Sequence, residues 1–195
     1  MKRTIILIAF VYWFSFGIVF SQSAGSEKQE PNSMAAQKRL AQFSSPVFSK
    51  IEPVIHQKSR VLPALPSFLP YVDKSHSIYA VVRSVSDSGY DILLANAIPC
   101  EGQNWCLYGS VRGSIEPFNH TFNHATPPTS PMSLHKGIQG KFIEATCDTY
   151  CTEAYAEWKE DGYYYSIGMK AGKRDQLGKM ANSAIDSGDP KVGGG

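Results

Sequence analysis

The residues best suited to chemistry lie in one short stretch. His120 and His124 are flanked by Asn119, Thr121 and Asn123. On a helix this spacing would put both imidazoles on one face, within reach of one metal ion or one substrate. Pro127, Pro128 and Pro131 follow closely and argue against a helix. No Asp or Glu lies between Glu116 and Pro131 to complete a metal site. The two residues therefore read as loop histidines. They are the site candidates of an alternative in which the chain is an extracytoplasmic hydrolase using the 116–135 loop. His56 and His135 are isolated and carry no such pattern.

Other arrangements give less. Glu153 and Glu157 alternate with Ala154, Tyr155 and Trp158, a pattern that points the carboxylates to solvent. Paired-carboxylate glycoside chemistry needs two acids facing each other across a cleft, and spacing along one strand does not supply that. There is no Gly-x-Ser-x-Gly elbow and no phosphate-cradling glycine loop. The sequence thus assigns no catalytic residue, no metal ligand and no cofactor. Asn119-His120-Thr121 fits the N-glycosylation acceptor pattern.

The cysteines are more informative. Cys100 and Cys106 bracket Glu-Gly-Gln-Asn-Trp, and Cys147 and Cys151 bracket Asp-Thr-Tyr. Four cysteines allow three pairings. Local pairing, 100 with 106 and 147 with 151, is the simplest because each bond then pins a chain reversal. Zinc sites use tighter ligand spacing, and redox pairs use two intervening residues.

An oxidising compartment is what the N-terminus predicts. Met1, Lys2 and Arg3 precede an apolar run from Thr4 to Phe20, with small residues Ser21, Ser23 and Ala24 behind it. Charge, apolar core and small residues in that order make a secretory signal peptide over 1–24. The run is at the short edge of a bilayer span, so an uncleaved anchor is the rival reading, and the only membrane contact expected. Lys2 and Arg3 leave with the signal, so the mature chain is close to neutral. That leaves no electrostatic footprint for nucleic acid.

The rest of the chain must position these groups. Residues 25–45 are polar and predict a disordered tether, and 187–195 a disordered tail. Between them, 46–186 reads as one α+β domain. Ser45 and Pro46 open a helix across Pro46–Ser59, which either kinks at Pro53 or restarts with Pro53 in its own first turn. Prolines 63, 66 and 70 then enforce an extended path. Residues 78–97 read as a hairpin, and Trp105–Ile115 as a third strand. Gly140–Cys147, Thr152–Lys159 and Tyr163–Lys170 follow, the last two joined by Asp161-Gly162. Residues 116–133 read as loop. Leu177, Met180, Ala181, Ala184 and Ile185 stripe a terminal helix over 173–186. The plan is an antiparallel meander of about six strands flanked by an N-terminal and a C-terminal helix.

The stretch from Val61 to Ile185 resembles a family of exported, uncharacterised proteins common in cyanobacteria. The resemblance rests on Leu65-Pro-Ser-Phe-Leu-Pro70, on Cys100…Cys106 with Tyr108-Gly-Ser, and on Gly137-Ile-Gln-Gly140. It continues through Cys147…Cys151, Glu157-Trp158…Gly162…Tyr165-Ser-Ile and Met180-Ala-Asn-Ser-Ala-Ile185. The C-terminal part also looks like the domain appended to some bacterial anti-sigma and sporulation proteins. This resemblance implies the fold and export and supplies no activity. The expectation is a periplasmic or secreted, non-catalytic envelope protein that binds a protein partner or small ligand.

Overall fold

A computed structural model describes residues 45–70, 77–120 and 127–187. The signal segment, the tether, His124 and the tail beyond Ser187 lie outside the described residues. Within them, seven strands form one sheet: β1 Tyr79–Ser86, β2 Gly89–Ala95, β3 Leu107–Ser114, β4 Thr129–Ser133, β5 Gln139–Ile143, β6 Glu153–Glu160 and β7 Tyr163–Lys170. Every neighbouring pair is antiparallel, in the order β1-β2-β3-β7-β6-β5-β4. Helix α1 spans Glu52–Lys58 and α2 spans Arg174–Ser187.

Local chemistry explains the hairpins. Asp161 and Gly162 both have positive φ, 50° and 87°. A two-residue loop of that kind matches the right-handed twist of the strands it joins, which is why Asp-Gly is favoured there. One sheet face buries Ile92, Leu94, Val111, Ala156, Ile167 and Met169 against Leu177, Met180, Ala181, Ala184 and Ile185 of α2. Those helix positions recur at three- and four-residue intervals, so one stripe meets the sheet. Tyr90 is buried in the same core, and its hydroxyl accepts the Ala64 N–H at 2.9 Å, tying the proline-rich segment down. Burial raises that phenol far above its ordinary value, so it stays neutral.

Four expectations are corrected. The strands number seven, because Thr129–Ser133 pairs with β5 as an edge strand. An edge tolerates Pro131, since one side of the strand needs no ladder donors. The N-terminal helix is a 3-10 turn at Pro46–Phe48 followed by the seven-residue α1, which restarts with Pro53 in its first turn. Ser45 precedes that turn but makes no side-chain capping bond. The third strand begins at Leu107, leaving Trp105 66% exposed in the preceding loop.

Both cysteine pairs are local, Cys100–Cys106 and Cys147–Cys151. The β2–β3 and β5–β6 connections that carry them lie at the same end of the sheet, with β7 between β3 and β6. Lys170 at that end donates to the Asn104 carbonyl at 2.6 Å. Among the described residues, no helix is long and apolar enough to cross a membrane.

Candidate functional site

The site follows from the strand order. Three strands separate β3 from β4, and the link between them begins with residues 115–120. The helices occupy one face. Residues 115–120 run over the other, where Phe118 and His120 meet side chains of β3 and β6. The link thereby roofs part of a sheet face that would otherwise be open.

Beneath it the register builds a transverse row. Asp91 on β2 pairs with Arg112 on β3, Arg112 with Ser166 on β7, Ser166 with Glu157 on β6, and Glu157 with Lys141 on β5. One line of side chains therefore crosses five strands, with the oppositely charged neighbours Asp91 and Arg112 on one side of the neutral Ser166 and Glu157 and Lys141 on the other. Opposite charges directly across a ladder attract, and like charges would repel. The Arg112 guanidinium lies 4.9 Å from the Phe118 ring centroid and 5.0 Å from that of Tyr155. Its Nη2 donates to Ser166 Oγ at 3.3 Å. Its Nε and the neighbouring Asp91 Oδ1 are buried without a hydrogen-bond partner.

The next row holds Ser110, Gly168 and Tyr155. Ser110 Oγ donates to Glu153 Oε1 at 2.8 Å, and the Tyr155 hydroxyl donates to Glu153 Oε2 at 3.1 Å. Gly168 makes room for both bonds: a Cβ there would lie 2.5 Å from Glu153 Oε1 and 2.8 Å from Ser110 Oγ. Burial, reinforced by the Glu153 charge, raises the Tyr155 phenol well above its ordinary range.

Glu157 is the centre of the arrangement. It is 6% exposed, which corrects the expectation that strand alternation turns it to solvent. The alternation is real, but the face it points to is covered by the link. His120 Nε2 contacts Glu157 Oε1, and Lys141 Nζ lies 2.8 Å from Glu157 Oε2. Burial works to raise this carboxyl, but the hydrogen bonds and charges of His120 and Lys141 outweigh it. The net result holds Glu157 below its ordinary value of 4.5. With Glu157 ionised, its Oε1 can only accept, so the His120 Nε2–H is the donor of this contact. The imidazole also packs on Tyr155, with ring centroids 4.2 Å apart.

Beside this pair opens a groove of about 310 Å³. Pro117 and Phe118 wall it from the link, and Lys141, Glu157, Lys159 and Tyr164 from the sheet. Such a volume is at the lower end of small-molecule sites.

The sequence candidates thus separate. His120 is buried and paired with an acid from a distant strand. His135 bonds Asp186 at 2.9 Å on the surface, away from the groove. Sequence reasoning missed Glu157, Lys141 and Arg112 as partners. Their only signal was a charged residue interrupting an apolar strand, which is too common to single them out. Among the described residues, no group of three or more His, Cys, Asp or Glu side chains could hold a metal ion, and no free cysteine exists.

No protein family, curated protein or solved structure matches this chain.

Proposed function

We propose that this chain is an exported, non-catalytic envelope protein that binds a small ligand in the groove between the β3–β4 link and strands β5–β7. The observation that carries the reading is the link itself. Phe118 and His120 are fixed to the sheet through Arg112 and Glu157, so the groove is preformed, with an apolar wall facing a polar floor. Preformed concavity with a few placed polar groups is the usual form of a small-molecule site. Two disulfides, together with the lack of a membrane-crossing helix among the described residues, are compatible with an extracytoplasmic location. Periplasmic or secreted placement, and kinship with the exported cyanobacterial family, belong to this reading.

A fragment screen on the isotope-labelled mature protein tests it. Amide shifts should cluster at Phe118, Lys141, Lys159 and Tyr164. Binders that cluster elsewhere, or none at all, would overturn the reading.

The His120–Glu157 pair beside the groove favours one second reading, hydrolysis with His120 as general base. Turnover of an ester or glycoside panel that disappears in His120→Ala would replace the binding reading.

A further inference from the structure

We infer that the groove selects an anion carried on a flat apolar body, an aromatic carboxylate being the simplest example. This inference rests on the groove being a ligand site and adds the ligand's chemistry.

Glu157 is the acid among the groove residues named above, and both of its oxygens are taken, one by His120 and one by Lys141. Its charge is therefore already matched, and it has little acceptor capacity to offer a ligand. Lys141 is half-exposed and uses one N–H on Glu157, leaving further donors for the groove. Lys159 is exposed, and its ammonium lies 4.9 Å from the Tyr164 ring centroid. Among the described residues no carboxylate pairs with it. Lys141 faces Glu157 across the ladder, and Lys159 is the next residue of β6 on the same face. The two lysines are diagonal neighbours, about 7–8 Å apart at the strand level, a span that two flexible stems can close around one anion.

The groove thus offers an excess of N–H donors and positive charge, which calls for a ligand rich in acceptors. Pro117, Phe118 and the Tyr164 ring supply the apolar complement. Aromatic faces favour stacked or edge-on planar partners over branched ones. A bare inorganic anion would leave these walls unused, and a neutral aromatic would leave the lysines unmatched.

The test uses three probes on the full mature protein, read by amide shifts: 2-naphthoate, its neutral amide 2-naphthamide, and inorganic phosphate. Naphthoate should shift Phe118, Lys141, Lys159 and Tyr164. Naphthamide should bind roughly two- to fivefold more weakly, the scale of partly exposed charge pairs. Lys159→Gln, which leaves the Glu157–Lys141 pair intact, should weaken naphthoate by a similar factor at an unchanged melting temperature, and should weaken naphthamide less. Added salt should erase the difference between acid and amide. Equal binding of acid and amide would overturn the anion while leaving the groove as a ligand site. Phosphate binding as tightly as naphthoate would overturn the apolar body. Groove residues that respond to none of the three would remove this inference, and removal of the site itself would require the fragment screen to fail as well.

Discussion

His120 and Glu157, 37 residues apart in the chain, contact each other on the sheet face opposite the helices. The contact anchors the β3–β4 link. It also uses a carboxylate that Lys141 holds from the other side at 2.8 Å. One acid therefore fixes both the roof and the floor of the groove.

Glu157→Gln should cost about 1–3 kcal/mol at pH 7, because it weakens two charge-assisted hydrogen bonds to a buried group. The cost should depend on pH in a defined direction. The folded-state carboxyl lies below its ordinary value of 4.5. Its contribution is therefore fully present above that value and is lost as the pH falls below it. Urea melts of wild type and variant should differ at pH 7 and converge toward pH 3. A constant gap across that range would show that Glu157 titrates normally in the fold.

Gly168→Ala should destabilise by about 1–3 kcal/mol. The added methyl would meet Glu153 Oε1 at 2.5 Å, the Tyr155 ring at 2.7 Å and Ser110 Oγ at 2.8 Å. These are side-chain atoms, so the sheet can survive while the Ser110–Glu153 bond gives way. Thermal melting measures the cost, and an unchanged melting temperature would mean that these side chains relax freely.

Leu177→Asp should cost at least about 3 kcal/mol, because it places a charge without a partner where Leu177 is fully buried against the sheet. Lys179→Gln, on the exposed side of α2, should be close to neutral. Equal melting temperatures for the two variants would show that α2 does not dock through this stripe.

The two disulfides should differ in accessibility. Cys106 is fully buried with Leu93 and Ala95, whereas Cys147 and its neighbour Tyr150 are exposed. Thiol attack requires access to sulfur. Timed reduction followed by alkylation and peptide mapping should label Cys147 and Cys151 first. A peptide linking either of Cys100 and Cys106 to either of Cys147 and Cys151 would refute local pairing.

The proposed export predicts a mature N-terminus between Ser21 and Gly25, read by intact mass of the protein recovered from its native host. A mass that retains Met1 would establish the anchor instead.

What the sequence determined by itself was local. Alternating residues and Asp161-Gly162 set the β6–β7 hairpin. The three- and four-residue stripe of α2 set the face it buries, and cysteine spacing matched two turn-pinning disulfides. Each of these depends on residues within a few positions of one another, so composition and period suffice. Tertiary structure decided the rest. Strand order placed β7 and β6 beside β3, and only that order aligns Asp91, Arg112, Ser166, Glu157 and Lys141 in one row. Residues 115–120 of the β3–β4 link lie over that row, burying a glutamate whose strand pattern reads as exposed. The strand order also makes Thr129–Ser133 an edge, where Pro131 is tolerated. Periodicity tells which side of a strand a residue faces. What covers that side is fixed by pairings between distant segments, and no local pattern encodes those.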